Sequence, residues 1–255
     1  MFRRSKRLLS LMPRVCLLRV LSLAPGLALT ALAADLELRP ATGPTPEYAA
    51  HRADTPPTID GDLSDPAWAN AAGATLGFPW PEQAGPRQST TVRLLWDDRN
   101  LYFAFDCDDG AITTKHERRD DPTYEDDAVE LFLNPFPDRS EYVGLEINAR
   151  GALYDYLFVH PHKLYANYDL KGIRLVARPR SAGSPGWTVE GAVPLANFVS
   201  QSDAAPVAIG TVWTMNLNRW DGTEPQRVFS IWSDSGRKTP NPHAPQRFGR
   251  LVFAR

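Results

Sequence analysis

The sequence predicts an all-β protein, an antiparallel β-sandwich of jelly-roll or immunoglobulin-like type with few or no long helices. Three observations carry this expectation. Short segments alternate apolar and polar residues with period 2, and Gly, Pro, Asp and Asn separate one segment from the next. No stretch holds a helical period for long. A chain of 255 residues with 43% hydrophobic and 23% charged residues has the make-up of an ordinary globular protein and enough length to bury a core.

The first 33 residues read as a secretory signal peptide. "MFRRSKRLLSLMPRVCLLRV" carries the cations Arg3, Arg4, Lys6, Arg7, Arg14 and Arg19 and no acid, and the apolar stretch after it ends in the small-x-small pattern Ala31-Leu32-Ala33. Arg19 limits the apolar run to about 15 residues, short of the roughly 20 that span a bilayer. Cleavage near Ala33 is therefore expected, with a secreted or periplasmic product and no membrane partner afterwards. Residues 34–46 are rich in proline and small side chains and read as a linker. Residues 47–255 form the single expected domain.

Within it, "TTVRLLWDD" aligns Val92, Leu94 and Trp96, and after the turn "DDRN" the segment "LYFAFDC" aligns Leu101, Phe103, Phe105 and Cys107, which together make a hairpin. "AVELFL" aligns Val129, Leu131 and Leu133 against Glu130 and Phe132, and "EYVGLEINARG" aligns Val143, Leu145 and Ile147 against Tyr142, Glu146 and Asn148. Further strands are expected at "GIRLVARP", "GWTVEGAVP", "VWTMNLNRW", "RVFSIW" and "GRLVF". The aromatic-rich "LFVHPHKLYANYDL" reads as a loop and strand at the edge of the same region.

In "WTMNLNRW" the core side takes Trp213, Met215 and Leu217, leaving Asn216, Asn218 and Trp220 opposite. Three strands thus present carboxylates, amides and aromatics on their non-core faces. Such a surface suits a sugar, whose hydroxyls need hydrogen-bonding partners and whose C–H face packs on a ring. The plain alternative is an outer sheet face turned to water.

Six of the 28 cations fall in the leader, so about 22 face 30 acids in the exported chain, which is acidic. That excludes the basic stripe a nucleic-acid partner requires. Cys107 is the single cysteine after cleavage, which rules out an intramolecular disulfide and makes it a small core residue. No nucleophile elbow, phosphate-binding glycine loop or H-E-x-x-H helix occurs.

Eight segments, "PPTIDGDLSDPAW", "LLWDDRNLYFAFDCDD", "YEDDAVELFL", "EINARG", "GWTVEGAVP", "MNLNRWD", "FSIWSDS" and "FGRLVF", have the order and spacing of a family 9 carbohydrate-binding module. The resemblance runs from about Pro56 to Phe253. It implies a DOMON-like β-sandwich of the kind found in extracellular xylanases, non-catalytic and binding a polysaccharide or oligosaccharide of the xylan and cellulose class. It also implies site residues. Tyr124 stands where the family stacks a tryptophan on the sugar. Glu130 matches the family carboxylate, Glu146 replaces an arginine, Asn148 matches an asparagine, and Asn218 replaces a glutamine. The loop "NPHAPQRFG" lacks the second stacking tryptophan, which leaves His243, Trp80 or Trp220 to supply a ring.

The resemblance further implies structural calcium, a cation needing six to eight oxygens. Asp60, Asp62, Asp109 and Asp127 are the candidate ligands, with turn capping the ordinary alternative use of such aspartates. Two other functions stay open. Glu130 and Glu146 could act as the acid and base of a glycoside hydrolase, alone or beside secreted glycoside hydrolases. A DOMON-like domain could instead hold haem between Met215 and one of His51, His116, His160, His162 or His243.

Overall fold

The computed structural model describes residues 38–159, 163–180, 183–199 and 206–255, so the expected signal peptide, His160 and His162 lie outside the described residues. Thirteen strands form among them: β1 (Glu47–Arg52), β2 (Ala74–Thr75), β3 (Thr90–Trp96), β4 (Asn100–Asp108), β5 (Ala128–Asn134), β6 (Tyr142–Asn148), β7 (Leu153–Val159), β8 (Lys163–Tyr165), β9 (Arg174–Pro179), β10 (Gly186–Pro194), β11 (Val212–Asp221), β12 (Val228–Ile231) and β13 (Gly249–Phe253). The described helical elements are one turn at Ala196–Val199 and three short 3₁₀ turns.

The strands follow the order β8-β7-β6-β5-β11-β13-β1-β3-β4-β10-β9, with β12 on β11 and β2 on β3. Pairing is antiparallel except at β1, which runs parallel to both neighbours. Its residues Glu47–Ala50 pair with β13 and His51–Arg52 pair with β3, so a single strand leaves one layer and enters the other. Two sheets are thereby folded over a shared interior.

Alternation fills that interior as expected. Val129, Leu131, Leu133, Val143, Leu145, Ile147, Met215 and Leu217 of one sheet meet Val92, Leu94, Phe103, Phe105, Cys107, Trp187 and Val189 of the other, all buried. Each large apolar side chain so buried contributes about 1.5–3 kcal/mol. Met215 is fully enclosed here, so the thioether proposed as a haem ligand is instead packing between the sheets. Trp68 and Trp187 are buried, their indole N–H groups donating to Glu190 Oε1 at 2.7 Å and Asp109 Oδ2 at 3.0 Å.

Part of the expected linker is fastened to this body. Leu38 bridges to Arg237, the Arg39 guanidinium grips both oxygens of Asp234 at 2.7 and 2.8 Å, and Thr42 donates to the same carboxylate through its N–H and hydroxyl. Burial works to raise the Asp234 pKa, but these donors and the Gly236 N–H outweigh it and hold the group down to about 2.

Candidate functional site

The pairing register aligns the polar residues of four strands. Asn218 on β11 lies opposite Glu130 on β5, Glu130 opposite Glu146 on β6, and Glu146 opposite Tyr154 on β7. Adjacent rows add Phe132, Gly144 and Tyr156 on one side and Trp220, Ala128 and Asn148 on the other. Since successive side chains alternate, all of these groups point away from the inter-sheet core.

This face is not an open sheet surface turned to water. Glu130 and Glu146 are buried beneath surrounding loops, at the floor of a pocket of about 360 Å³, and Asn218 is buried beside Glu130. Tyr124, Tyr154, Trp220, Arg227 and His243 line its walls, together with Leu164 and Pro240–Pro242. Tyr124 is 43% exposed and meets Tyr154 edge-on at 5.8 Å, so its ring stands at the rim.

Beside it on the same face the surface is aromatic. Tyr142, Tyr156, Phe132, Phe158 and Phe248 form a separate buried cluster. Gly144 makes room for it: a Cβ there would stand 2.3 Å from Cζ of Tyr156, the residue directly opposite. His243, expected as a weak stacking platform, lies flat against Phe132 and Phe158 at 5.5 and 5.3 Å and joins its Nδ1 to the Tyr142 hydroxyl. It anchors the loop over the pocket while presenting part of itself to the lumen.

Polar groups at the floor have few partners. Trp220 Nε1 donates to Glu130 Oε1 at 2.8 Å, whereas Glu130 Oε2, Glu146 Oε2, the Tyr156 hydroxyl and both amide atoms of Asn218 have no hydrogen bond of good geometry. Each such buried group costs on the order of 1–3 kcal/mol. Burial pushes the Glu130 pKa up to about 7, with Trp220, the nearby Asn218 amide and, at longer range, the Arg227 charge pulling it back. Glu146 is raised well above the carboxylate range, by burial first and then by the charge of Glu130. Arg227 lies 4.4 Å over the Trp220 ring and donates Nη2 to the Tyr124 and Asp126 carbonyls. Burial lowers its pKa, opposed mainly by Glu130.

Two expected members lie elsewhere. Trp80 is buried against Phe229 and donates its N–H to the Arg237 carbonyl, because the segment before β3 folds it beneath β12. Asn148 is spent on the turn it begins: its Nδ2 donates to Asp126 Oδ2 at 2.7 Å and to the His116 carbonyl, and its Oδ1 accepts from Arg150 and Ala152. Arg227 and the Pro240–Pro242 loop are additions that alternation could not reveal, because neither belongs to a strand face. Tyr154 is a further addition, placed beside Glu146 by the pairing register.

The four aspartates considered for calcium divide into two places. Asp60 and Asp62 cap a turn, Asp60 Oδ1 accepting from the Asp62 N–H at 2.8 Å, and Asp62 pairs with Arg178 at 3.1 Å. Asp109 and Asp127 instead join Asp221, with carboxylate oxygens within 4.8 Å of one another and all three residues buried. Arg219 neutralises part of this charge, at 3.0 Å from Asp109 and 3.1 Å from Asp221. Burial raises the Asp127 pKa to about 6 despite N–H donors from Thr113 and Gly222, and Asp109 and Asp221 add to the rise. Three hard oxygen donors with one guanidinium leave a net negative site, a donor set that fits a calcium ion. A groove lined by Gln88, Thr113, Asp221 and Gly222 borders it.

Comparison with solved structures places this architecture among known ones. A carbohydrate-binding protein assigned as such from Bacteroides uniformis superposes with a TM-score of 0.70 at 16% identity, covering 82% of this chain and 100% of that one. A family 9 carbohydrate-binding module from Caldicellulosiruptor kristjanssonii, solved with cellotriose, gives 0.60 at 18% identity over 82% of this chain and 93% of its own. The same organism's module solved with glucose gives 0.58 at 18% identity, over 81% and 96%. A search of curated proteins finds no match to this sequence. At these identities the structures speak for the fold. The family comparison is carried by the sequence itself, which matches over residues 59–255, and on that ground the chain belongs to the carbohydrate family 9 binding domain-like family.

Proposed function

We propose that the pocket over β5, β6, β7 and β11 binds a pyranose unit of a plant-type polysaccharide or oligosaccharide of the xylan and cellulose class, as a non-catalytic module supporting carbohydrate catabolism. One observation carries this: Glu130 and Glu146, in one row with Asn218 and Tyr154, form the floor of an aromatic-walled pocket and keep carboxylate oxygens unsatisfied. Sugar hydroxyls both donate and accept, so they can complete those atoms, while Tyr124 at the rim offers a flat face to the C–H side of a ring. The related module solved with cellotriose supports the ligand class. In this reading the protein is secreted or periplasmic and works beside secreted glycoside hydrolases, and Asp109, Asp127 and Asp221 hold a structural calcium.

Isothermal calorimetry against cello- and xylo-oligosaccharides tests the reading. Wild type is expected to release heat with at least one series, and Glu130→Ala to release none while keeping its circular dichroism. Absence of heat across both series overturns it.

The paired carboxylates Glu130 and Glu146, both with raised pKa, also favour a second reading, hydrolysis of a glycosidic bond with the more strongly raised Glu146 as proton donor. Release of chromophore from aryl xylosides or glucosides by wild type, lost in Glu146→Gln, would establish it. An inactive wild type dismisses it.

A further inference from the structure

The pocket floor has two acids and no cation bonded to either. Glu130 and Glu146 are directly opposed across β5 and β6, 2% and 4% exposed, and each keeps Oε2 without a partner. Arg227 is the nearest fixed cation on the lining, but its guanidinium is laid on Trp220 and bonded to the Tyr124 and Asp126 carbonyls. The other ionisable groups around the pair are Tyr142, Tyr154, Tyr156 and His243, and among the described residues none forms an ion pair with either glutamate.

A neutral hydroxyl satisfies a lone pair and brings no charge. A primary ammonium brings a full charge and three donors, enough to reach both unpaired carboxylate oxygens at once. The rings of Tyr124 and Tyr154 on the pocket wall suit a cation as well as a sugar ring. We propose that this pocket prefers a pyranose bearing a protonated primary amine to its hydroxyl counterpart, so that among cellulose-like β-linked chains it selects amino-sugar units, with the ammonium seated between Glu130 and Glu146. The inference rests on the carbohydrate-binding reading of the same site.

The proton balance follows from the pair. In the empty pocket burial keeps protons on these acids near neutral pH. An arriving ammonium favours the ionised form of one acid of the pair while the other keeps its proton, and the one displaced proton passes to the buffer. A neutral sugar leaves that proton in place.

Calorimetry on the purified protein at pH 6.5, in two buffers of different ionisation enthalpy, separates these cases. The probes are the β-linked trimers of glucosamine, glucose and N-acetylglucosamine. The glucosamine trimer is expected to bind about tenfold tighter than cellotriose or better, a gain in the range of a charge-assisted hydrogen bond, and to release about one proton. The N-acetyl trimer, which has bulk without charge, is expected not to share the gain. Glu146→Gln, checked for folding by its melting curve, should bring the glucosamine-to-cellotriose affinity ratio down towards one. If cellotriose binds and the amine trimer binds no tighter, this inference fails and the carbohydrate reading stands. If no trimer binds, this inference fails, and the carbohydrate reading fails with it when xylo-oligosaccharides give no heat either.

Discussion

Replacing Glu130 by glutamine should stabilise the ligand-free protein, and only at high pH. A carboxyl whose folded pKa exceeds its unfolded value holds its proton more tightly in the native state, so it favours folding at low pH and opposes folding once ionised. For Glu130 the rise runs from 4.5 to about 7. At about 1.4 kcal/mol per unit, the ionised group costs the fold roughly 3 kcal/mol at pH 8, a cost that builds up between pH 4.5 and 7 and is absent below. Glutamine removes it. Its amide oxygen can keep the bond from Trp220 Nε1, and its new N–H groups lie next to the Asn218 amide, whose Oδ1 has no partner. For a domain of this size the gain is a rise of roughly 6–12 °C in Tm at pH 8. Melting curves for wild type and Glu130→Gln at pH 4.5 and pH 8 give the answer directly. Equal shifts at the two pH values, or a loss at pH 8, would refute the claim that this carboxyl is desolvated.

Three further outcomes are expected. Gly144→Ala forces a methyl to within 2.3 Å of the Tyr156 ring, and overpacking of this kind costs about 1–3 kcal/mol, visible as a lower urea midpoint. Tyr124→Ala should leave the melting curve unchanged, since the ring is 43% exposed, yet weaken oligosaccharide binding by roughly five- to tenfold through loss of stacking, worth about 1 kcal/mol. A chelator should lower the Tm of wild type and leave that of Asp127→Asn unmoved if the Asp109–Asp127–Asp221 group holds calcium; identical chelator responses in the two proteins would remove that assignment.

The strands best legible in the sequence are those whose two faces differ. Val129–Glu130–Leu131 and Val143, Leu145, Ile147 record their own orientation, and the same alternation that marks the core marks Glu130, Glu146 and Asn218 as lying opposite it. β1, by contrast, buries Tyr48 and Ala50, and one small alanine gives little hydropathy contrast. β7 carries Asp155 between Leu153 and Leu157 on its core side and the aromatics Tyr154, Tyr156 and Phe158 on the other, so neither face reads as plainly polar or apolar and its period is masked. Register was beyond the sequence altogether. That Glu130 faces Glu146 rather than a neighbour two places away is decided by the pairing, and a pair of acids differs in kind from two separate ones. Trp80 and Asn148 show the converse. Each is of the residue type a sugar site uses, and each is already committed to the scaffold through bonds that only the folded chain reveals.

The sheet-changing strand β1 bears on how the molecule is made. Its first partner is β13, and Glu47 and Arg250, 203 residues apart, share a pairing position and an ion pair. Loop closure over such a span is entropically expensive and slow to be repaid, and chains dominated by pairings of this kind fold on the millisecond-to-second scale. During synthesis the second half of β1 can pair with β3 soon after it emerges, but Glu47–Ala50 have no seat until β13 follows, so until then one layer lacks its seam with the other. The row Asn218–Glu130–Glu146–Tyr154 lies within β5, β6, β7 and β11, and β11 takes β13 as its other neighbour. Assembly of the floor and closure of the seam are therefore consecutive acts, and a nascent chain short of β13 would have hairpins of the site without the body that shapes it.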